Sequence, residues 1–461
     1  MKDVLTKVIS TAADKFGAEY AEVRAQKLYK TMLTLKEGRV EAAKQGIENG
    51  AALRVLIKGA WGFASVGNHD VKILVDAVSD ACKMAKAASQ RLKTPIKLVS
   101  IKPVEDRVTA NPRKDPSKTS IEEKIKTASI ISDSILNYDK RVKACTVDYL
   151  DLAGQTYFMN KEGTFVEQQK LYVWSRMTAT VEEKGVFTFS REEVGSTAGY
   201  EVFDDEKPEI LGTDVAKRAV DQLKAKPSRG GIFPVILGPK VIGTFVHEAF
   251  GHLAEADLTL SGSILQDKIG KKIASEVVTF YDDGTVQGAF GSFKYDDEGI
   301  PTQKTLLVKD GVVVGLMHSR ETAQKFGAQP TGNMRAEDFR VEPIIRMRNT
   351  YMRPKDYSFE ELIEDVKFGY YFKSFRGGQA NLDGTFQVGI QEAYEIREGE
   401  LGEPVRNASM SGNTLETLLK VDAVGKDFEL TPGRCGKGQT AFVCDGGPHT
   451  RVKGVVVGGS A

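Results

Sequence analysis

Apolar residues recur at helical spacing at the start of the chain, where Val4, Leu5, Val8, Ile9 and Ala12 share one face of an amphipathic helix. Strand-like runs follow up to about residue 66, with breaks expected at Gly38, Asn49-Gly50 and Lys58-Gly59. Helical periodicity returns over 71–88, where Val71, Leu74, Val75, Val78, Cys82 and Ala85 align. The proline-rich, charged stretch 99–119 reads as a linker. Thr119 and Glu122 then have capping-box spacing before a helix that starts at about 120.

From about 141 to 205 apolar and polar residues alternate, predicting antiparallel strands joined by turns at 160–163 and 183–185. A helix is expected at 212–225, then a short buried strand, a turn and a helix that carries "GTFVHEAFGHLAEAD" (243–257). Beyond 275 the pattern is again strand and hairpin, with an Asp310-Gly311 turn. A last helix is expected at 358–370 behind Ser358 and Glu361, and "RVKGVVVGGSA" reads as a final strand and glycine tail. The fold class is α+β: an N-terminal α/β domain, a central mixed domain bearing the histidine helix, and a C-terminal β-rich domain. By residue the divisions are 1–105, 106–230 and 231–461, the last holding the histidine helix and the cysteine-bearing tail.

Composition narrows the function classes. Sixty-four basic residues nearly cancel sixty-three acidic ones, which gives no reason to expect a nucleic-acid or membrane-surface partner. The chain has no apolar run of about 18 residues, and its start reads as a helix rather than a signal peptide. Cys82, Cys145, Cys435 and Cys444 form no C-x-x-C pair. Free thiols in a reducing cytoplasm are therefore expected, with Cys82 and Cys145 as core residues.

Five histidines are present, and two of them fall in His247-Glu248-Ala249-Phe250-Gly251-His252. On a regular helix residues five apart lie about 140° apart around the axis, against about 40° for residues four apart, so two such imidazoles cannot reach one metal ion. A π-bulge absorbs one extra residue, and Gly251 is the position that tolerates it best. A catalytic zinc site needs a third protein ligand and an open position. Glu255, Cys435, Cys444, His449 and His318 are all candidates by residue type, with Glu255 equally able to orient an imidazole. Asn333, Arg335 and Arg346 are weaker candidates for polar groups near the cleft.

The chain resembles the TldD branch of the TldD/PmbA metalloproteases, also called modulators of DNA gyrase. The resemblance is carried by "HEAFGHLAEAD", "QPTGNMRAED", "PIIRMRNTYM", "FRGGQANLDGTFQV", "RCGKGQ" and the closing "VVVGGSA", in that order, and more loosely by "GAWGFAS" near the start. It implies a zinc-dependent endopeptidase or oligopeptidase acting on unfolded peptides. His247, His252 and Cys435 would be the zinc ligands and Glu248 the catalytic carboxylate. It further implies a homodimer or a heterodimer with a metal-less PmbA-like partner. The tail departs from the family pattern C-G-K-x-G-Q: it is one residue shorter and adds Cys444. A different reading is a noncatalytic, peptide-binding regulatory subunit with vestigial histidines, which predicts no stoichiometric zinc.

Overall fold

The computed structural model describes residues 1–459; Ser460 and Ala461 of the expected glycine tail lie outside the described residues. The N-terminal half is organised by one antiparallel sheet. Helix α1 (Lys2–Ser10) runs on through a π turn (Thr11–Lys15) and buries Leu5, Val8, Ile9 and Ala12. Strands β1 (Tyr20–Lys36), β2 (Arg39–Ile57) and β3 (Ala60–Val66) follow, then helix α2 (Val71–Ser89). The turns at Gly38 and Lys58-Gly59 form as expected. Asn49-Gly50 instead runs through β2 opposite Lys27 and Gln26, because continuous pairing overrides local turn chemistry.

The proline-rich stretch is not all linker, since it contains β4 (Glu105–Val108), which pairs parallel to a later strand. Helix α3 (Ile121–Leu136) is capped by Ser120, whose side chain accepts from the Glu123 amide, so the cap lies one residue beyond the expected Thr119. Strands β5 (Val142–Asn160), β6 (Phe165–Glu183) and β7 (Val186–Ser196) come next, and helix α4 (Pro208–Leu223) starts at a proline. The order is β3-β2-β1-β5-β6-β4, with β7 also on β6. Strands from 1–105 and 106–230 thus share one sheet, and the 105/106 boundary falls inside β4. Two cores cover it. One packs α1 and α2 around Cys82, and the other packs α3 and α4 around Cys145.

The C-terminal half begins with β8 (Gly231–Leu237) and helix α5 (Pro239–Phe245), then β9 (Phe280–Asp283), β10 (Lys304–Lys309), β11 (Val312–Val313) and β12 (Asn349–Met352). It ends with β13 (Phe368–Ala380), β14 (Thr385–Arg397), β15 (Ser409–Asn413), β16 (Glu429–Gly436), β17 (Thr440–Gly447) and β18 (Thr450–Gly458). The helix expected at 358–370 is only Phe359–Ile363. Its Ser358–Glu361 capping box forms, but the aromatic run from Phe368 joins β13 instead.

Strands β13, β8, β18, β15 and β14 pair in that order, and β14 pairs back to β13, closing a ring. A second sheet has the order β11-β10-β9-β12-β17-β16, with β16 at its edge. Helix α5 is buried on nearly every side between ring and sheet, as its all-round apolar sequence requires. The histidine helix therefore belongs to the C-terminal half rather than to a central domain. Gly243 permits the packing: a Cβ there would meet the Cα of Gly446 on β17 at 2.6 Å. Among the described residues no helix is long and apolar enough to cross a membrane.

Candidate metal centre

Helix α5 runs directly into a π turn over Val246–Gly251, followed by a 3-10 turn over His252–Ala254. This is the expected bulge. Gly251 ends it, and the sulfur of Met347 occupies the space a side chain there would need. The extra residue turns His252 back towards His247, so that the two ring centroids lie 5.2 Å apart at 84°. Cys435 arrives on edge strand β16. His247, His252 and Cys435 each offer a ligand atom within 4.8 Å of the others.

The donor set fits zinc. Sγ of Cys435 lies 3.3 Å from Nε2 of His252, close to the ligand separation of about 3.4–3.8 Å that tetrahedral Zn–N and Zn–S bonds impose. The other nitrogen, Nδ1 of His252, meets Oε2 of Glu255 at 2.9 Å. Metal-binding imidazoles are held in this way, because the hydrogen bond at one nitrogen leaves the lone pair on the other. Glu255 is fully buried, and this contact lets it orient the His252 ring. Glu248 has an oxygen 3.9 Å from Nε2 of His252 and lines the same cleft.

Electrostatics hold the cluster together. Burial opposes ionisation of Cys435, but the two imidazoles outweigh it and bring the thiol down to about 4. Burial likewise opposes charge on His247 and His252, yet the thiolate raises them to about 9 and about 10, with Glu255 adding to the second. The cysteine is thus held as the thiolate that metals bind.

The other candidates fall elsewhere. Cys444 points to the opposite face of β17 from Val443 and Asp445, packs against Trp174 and Phe290, and accepts from the Phe290 amide; burial pushes it up to about 12. His449 is held by Asp427 and Tyr371. Buried His318 bonds Thr322. Asn333 is a structural link to Asp282, and Arg335 binds the carbonyls of Met347 and Phe442. Arg346 donates to the carbonyl of Cys435 at 2.8 Å and to that of Gln439 at 2.6 Å, so it fixes the cysteine loop.

Two site residues escaped the sequence reading. Lys437, within the quoted "RCGKGQ", donates to Glu255 at 3.1 Å and Asp257 at 2.7 Å, joining the tail to the histidine segment. Asp445 lines the cleft with Oδ1 unpartnered among the described residues; burial pushes its carboxyl up to about 7, with His247 opposing and Glu248 adding. Its place directly after Cys444 on an alternating strand was the available signal.

The cleft holds about 210 Å³ and takes its walls from three sheets: β7 (Arg191–Glu193), β13 (Ser374–Gly378) and β16 (Thr431–Cys435). Lys240 binds Glu192, and Gln391 exchanges hydrogen bonds with the backbone of Arg191, so β7 is pinned in place.

Profiles of three consecutive domains match the chain: "PmbA/TldA metallopeptidase domain 1" at 21–88, the central domain at 114–223 and the C-terminal domain at 230–459. The chain belongs to the PmbA/TldD metallopeptidase family. A "Metalloprotease" of Methanothermobacter thermautotrophicus is 40% identical over 99% of both chains. A "Zinc metalloprotease TldD homolog" of Saccharolobus solfataricus is 33% identical over 97% of this chain and 98% of its own. The crystal structure of TldE from Thermococcus kodakarensis shares the fold, with a TM-score of 0.76 at 20% identity over 98% of this chain and 99% of its own.

Proposed function

We propose that the protein is a zinc-dependent peptidase that cuts unfolded polypeptides or oligopeptides, with His247, His252 and Cys435 as ligands and Glu248 as general base. The carrying observation is the convergence of these three donors from segments 183 residues apart, with Glu248 beside them in an open cleft. Bound there, zinc would supply an acidified water and a polarised scissile carbonyl, the fourth position being left open by a three-ligand site. Glu248 takes the proton from the attacking water and delivers it to the leaving amine. Glu255 holds the His252 ring, and the buried walls limit the water around the reacting atoms.

An extended chain suits the cleft. β16 is an edge strand, and β13 pairs with β8 only over Tyr370–Phe372, leaving its far half unpaired on that side. A peptide added as a strand to such an edge is held by main-chain hydrogen bonds, which a folded substrate does not offer. In keeping with the family, the protein works in the cytoplasm as a two-subunit assembly, either a homodimer or a pair with a PmbA-like subunit.

The test joins metal analysis to digestion of an unfolded protein by the wild type and by Glu248→Ala. Equal zinc content, with cleavage lowered about 10²–10⁴-fold in the variant, is expected. Equal digestion by both proteins refutes the role of Glu248, and cleavage without bound metal refutes the mechanism.

A further inference from the structure

A second, larger cavity of about 390 Å³ lies on the other side of β16, between the strands of the N-terminal sheet and the C-terminal half. Its walls carry ten lysines and arginines against six acidic residues, a local positive surplus in a chain that is almost neutral overall. Arg434 lines both this cavity and the catalytic cleft.

Three observations set Arg434 apart. Its guanidinium lies 5.1 Å from the centre of the buried Trp174 ring, within cation–π range. Among the described residues it has no carboxylate or hydrogen-bond partner, and it is exposed, so the in-plane N–H donors are free. Arg434 is also paired in register with Phe442 across β16 and β17, while the next pair is Cys435 with Ala441. Side chains alternate along a strand, so Arg434 and Phe442 share the face opposite to that of Cys435. A deeper source of positive potential supports it. Arg346, also in the cavity wall and fully buried, gives its terminal nitrogens to carbonyls, and its Nε has no partner among the described residues.

We infer that Arg434 is a specificity-determining residue that selects an acidic side chain in the substrate. The inference rests on the peptidase reading above. A chain added along the outer edge of β16 places the residue opposite Arg434 on the same face as Arg434 and Phe442, looking into the basic cavity. A carboxylate there meets free guanidinium donors, a lysine meets a like charge, and the aromatic wall takes the methylene stem. Because Arg434 directly precedes Cys435, the acidic residue lies within about two positions of the bond that is cut.

The experiment uses the zinc-loaded full chain and fluorogenic peptides that differ by Glu, Gln or Lys at one position at a time. The same peptides, labelled, are titrated against the Glu248→Gln protein by fluorescence anisotropy. At one position kcat/KM is expected to favour Glu over Gln by about tenfold, with Lys lowest, and the ratio shrinks as salt is raised. Arg434→Gln levels Glu and Gln, and Arg434→Glu reverses the order in favour of Lys at unchanged zinc content. A merely structural role for Arg434 would lower all peptides together. Equal values for the three residues at every position, or a preference that survives Arg434→Gln, overturns the inference. If the wild type cuts none of the peptides, the peptidase reading falls, and the anisotropy series alone then decides for or against Arg434.

Discussion

Replacing Glu255 by glutamine tests the orientation of the metal centre without changing its ligands. One oxygen, Oε2, takes both interactions, with Nδ1 of His252 at 2.9 Å and with Nζ of Lys437 at 3.1 Å, while Oε1 has no partner among the described residues. Glutamine can place its single oxygen where Oε2 was, but its amide group then sits in the buried place of Oε1 with nothing to donate to. The charge is also lost, so a charge-assisted bond worth about 1.5–3 kcal/mol becomes a neutral one of about 1 kcal/mol. Lys437 keeps Asp257, which limits the damage to stability. The main effect therefore appears in how well His252 is held, and loss of such a partner typically lowers metal affinity about 10–100-fold. Competition for zinc against a chromophoric chelator measures it directly. The companion variant Lys437→Met should weaken zinc less, and the double variant should fall short of the sum of the two because both act through Oε2. An affinity within twofold of wild type in a folded Glu255→Gln protein would refute the orienting role.

Three further outcomes follow from particular contacts. Cys435→Ser should lose stoichiometric zinc, whereas Cys444→Ala should keep it and lose only about 1–2 kcal/mol of stability with the Phe290 contact, measured by metal analysis and thermal melting; zinc loss in Cys444→Ala alone would reverse the assignment. Gly243→Ala gains about 1 kcal/mol in helix propensity but forces a methyl against the backbone of Gly446, so overpacking of about 1–3 kcal/mol or more should win and the melting temperature should fall; an unchanged or higher value contradicts the close packing. Burial lowers the pKa of His318 from 6.5 to about 4. Between these values the unfolded chain binds more protons, so stability falls as pH drops from about 6.5 towards 4, by up to about 3 kcal/mol; denaturant titrations should show this slope in the wild type and lose it in His318→Gln.

The sequence made the candidate metal site readable because its difficulty was geometric. Five-residue spacing is incompatible with a regular helix, and Gly251 offered the place for the π turn that the structure contains. Alternation likewise exposed β5, β6 and β7, and the capping boxes marked helix starts to within a residue. What stayed hidden depended on distant pairing. Nothing local says that β5 lies beside β1, or that β4 within a proline-rich stretch finds β6. Phe368–Phe372 reads as the end of a helix until β8 is available to pair with it. Lys437 was hidden for a similar reason, since its partners Glu255 and Asp257 lie far away in the chain. Glu255 could be named from its spacing, but its choice between ligand and orienting group needed the side-chain geometry.

The separation of 183 residues between His252 and Cys435 has a consequence for biosynthesis. The ribosome makes the two histidines and Glu248 first, the cysteine 183 residues after His252, and β17, the strand that pairs with β16, later still. A nascent chain that has passed residue 252 but not 435 carries an incomplete ligand set beside a cleft that still lacks its β16 wall. On the proposed assignment such a chain cannot cut itself or its unfolded neighbours, which are the very kind of polypeptide the finished protein accepts. On that assignment activity would wait on the order of synthesis. An ion bound there would tie together the ends of a loop of that length, and would act as a late structural lock as well as a reagent.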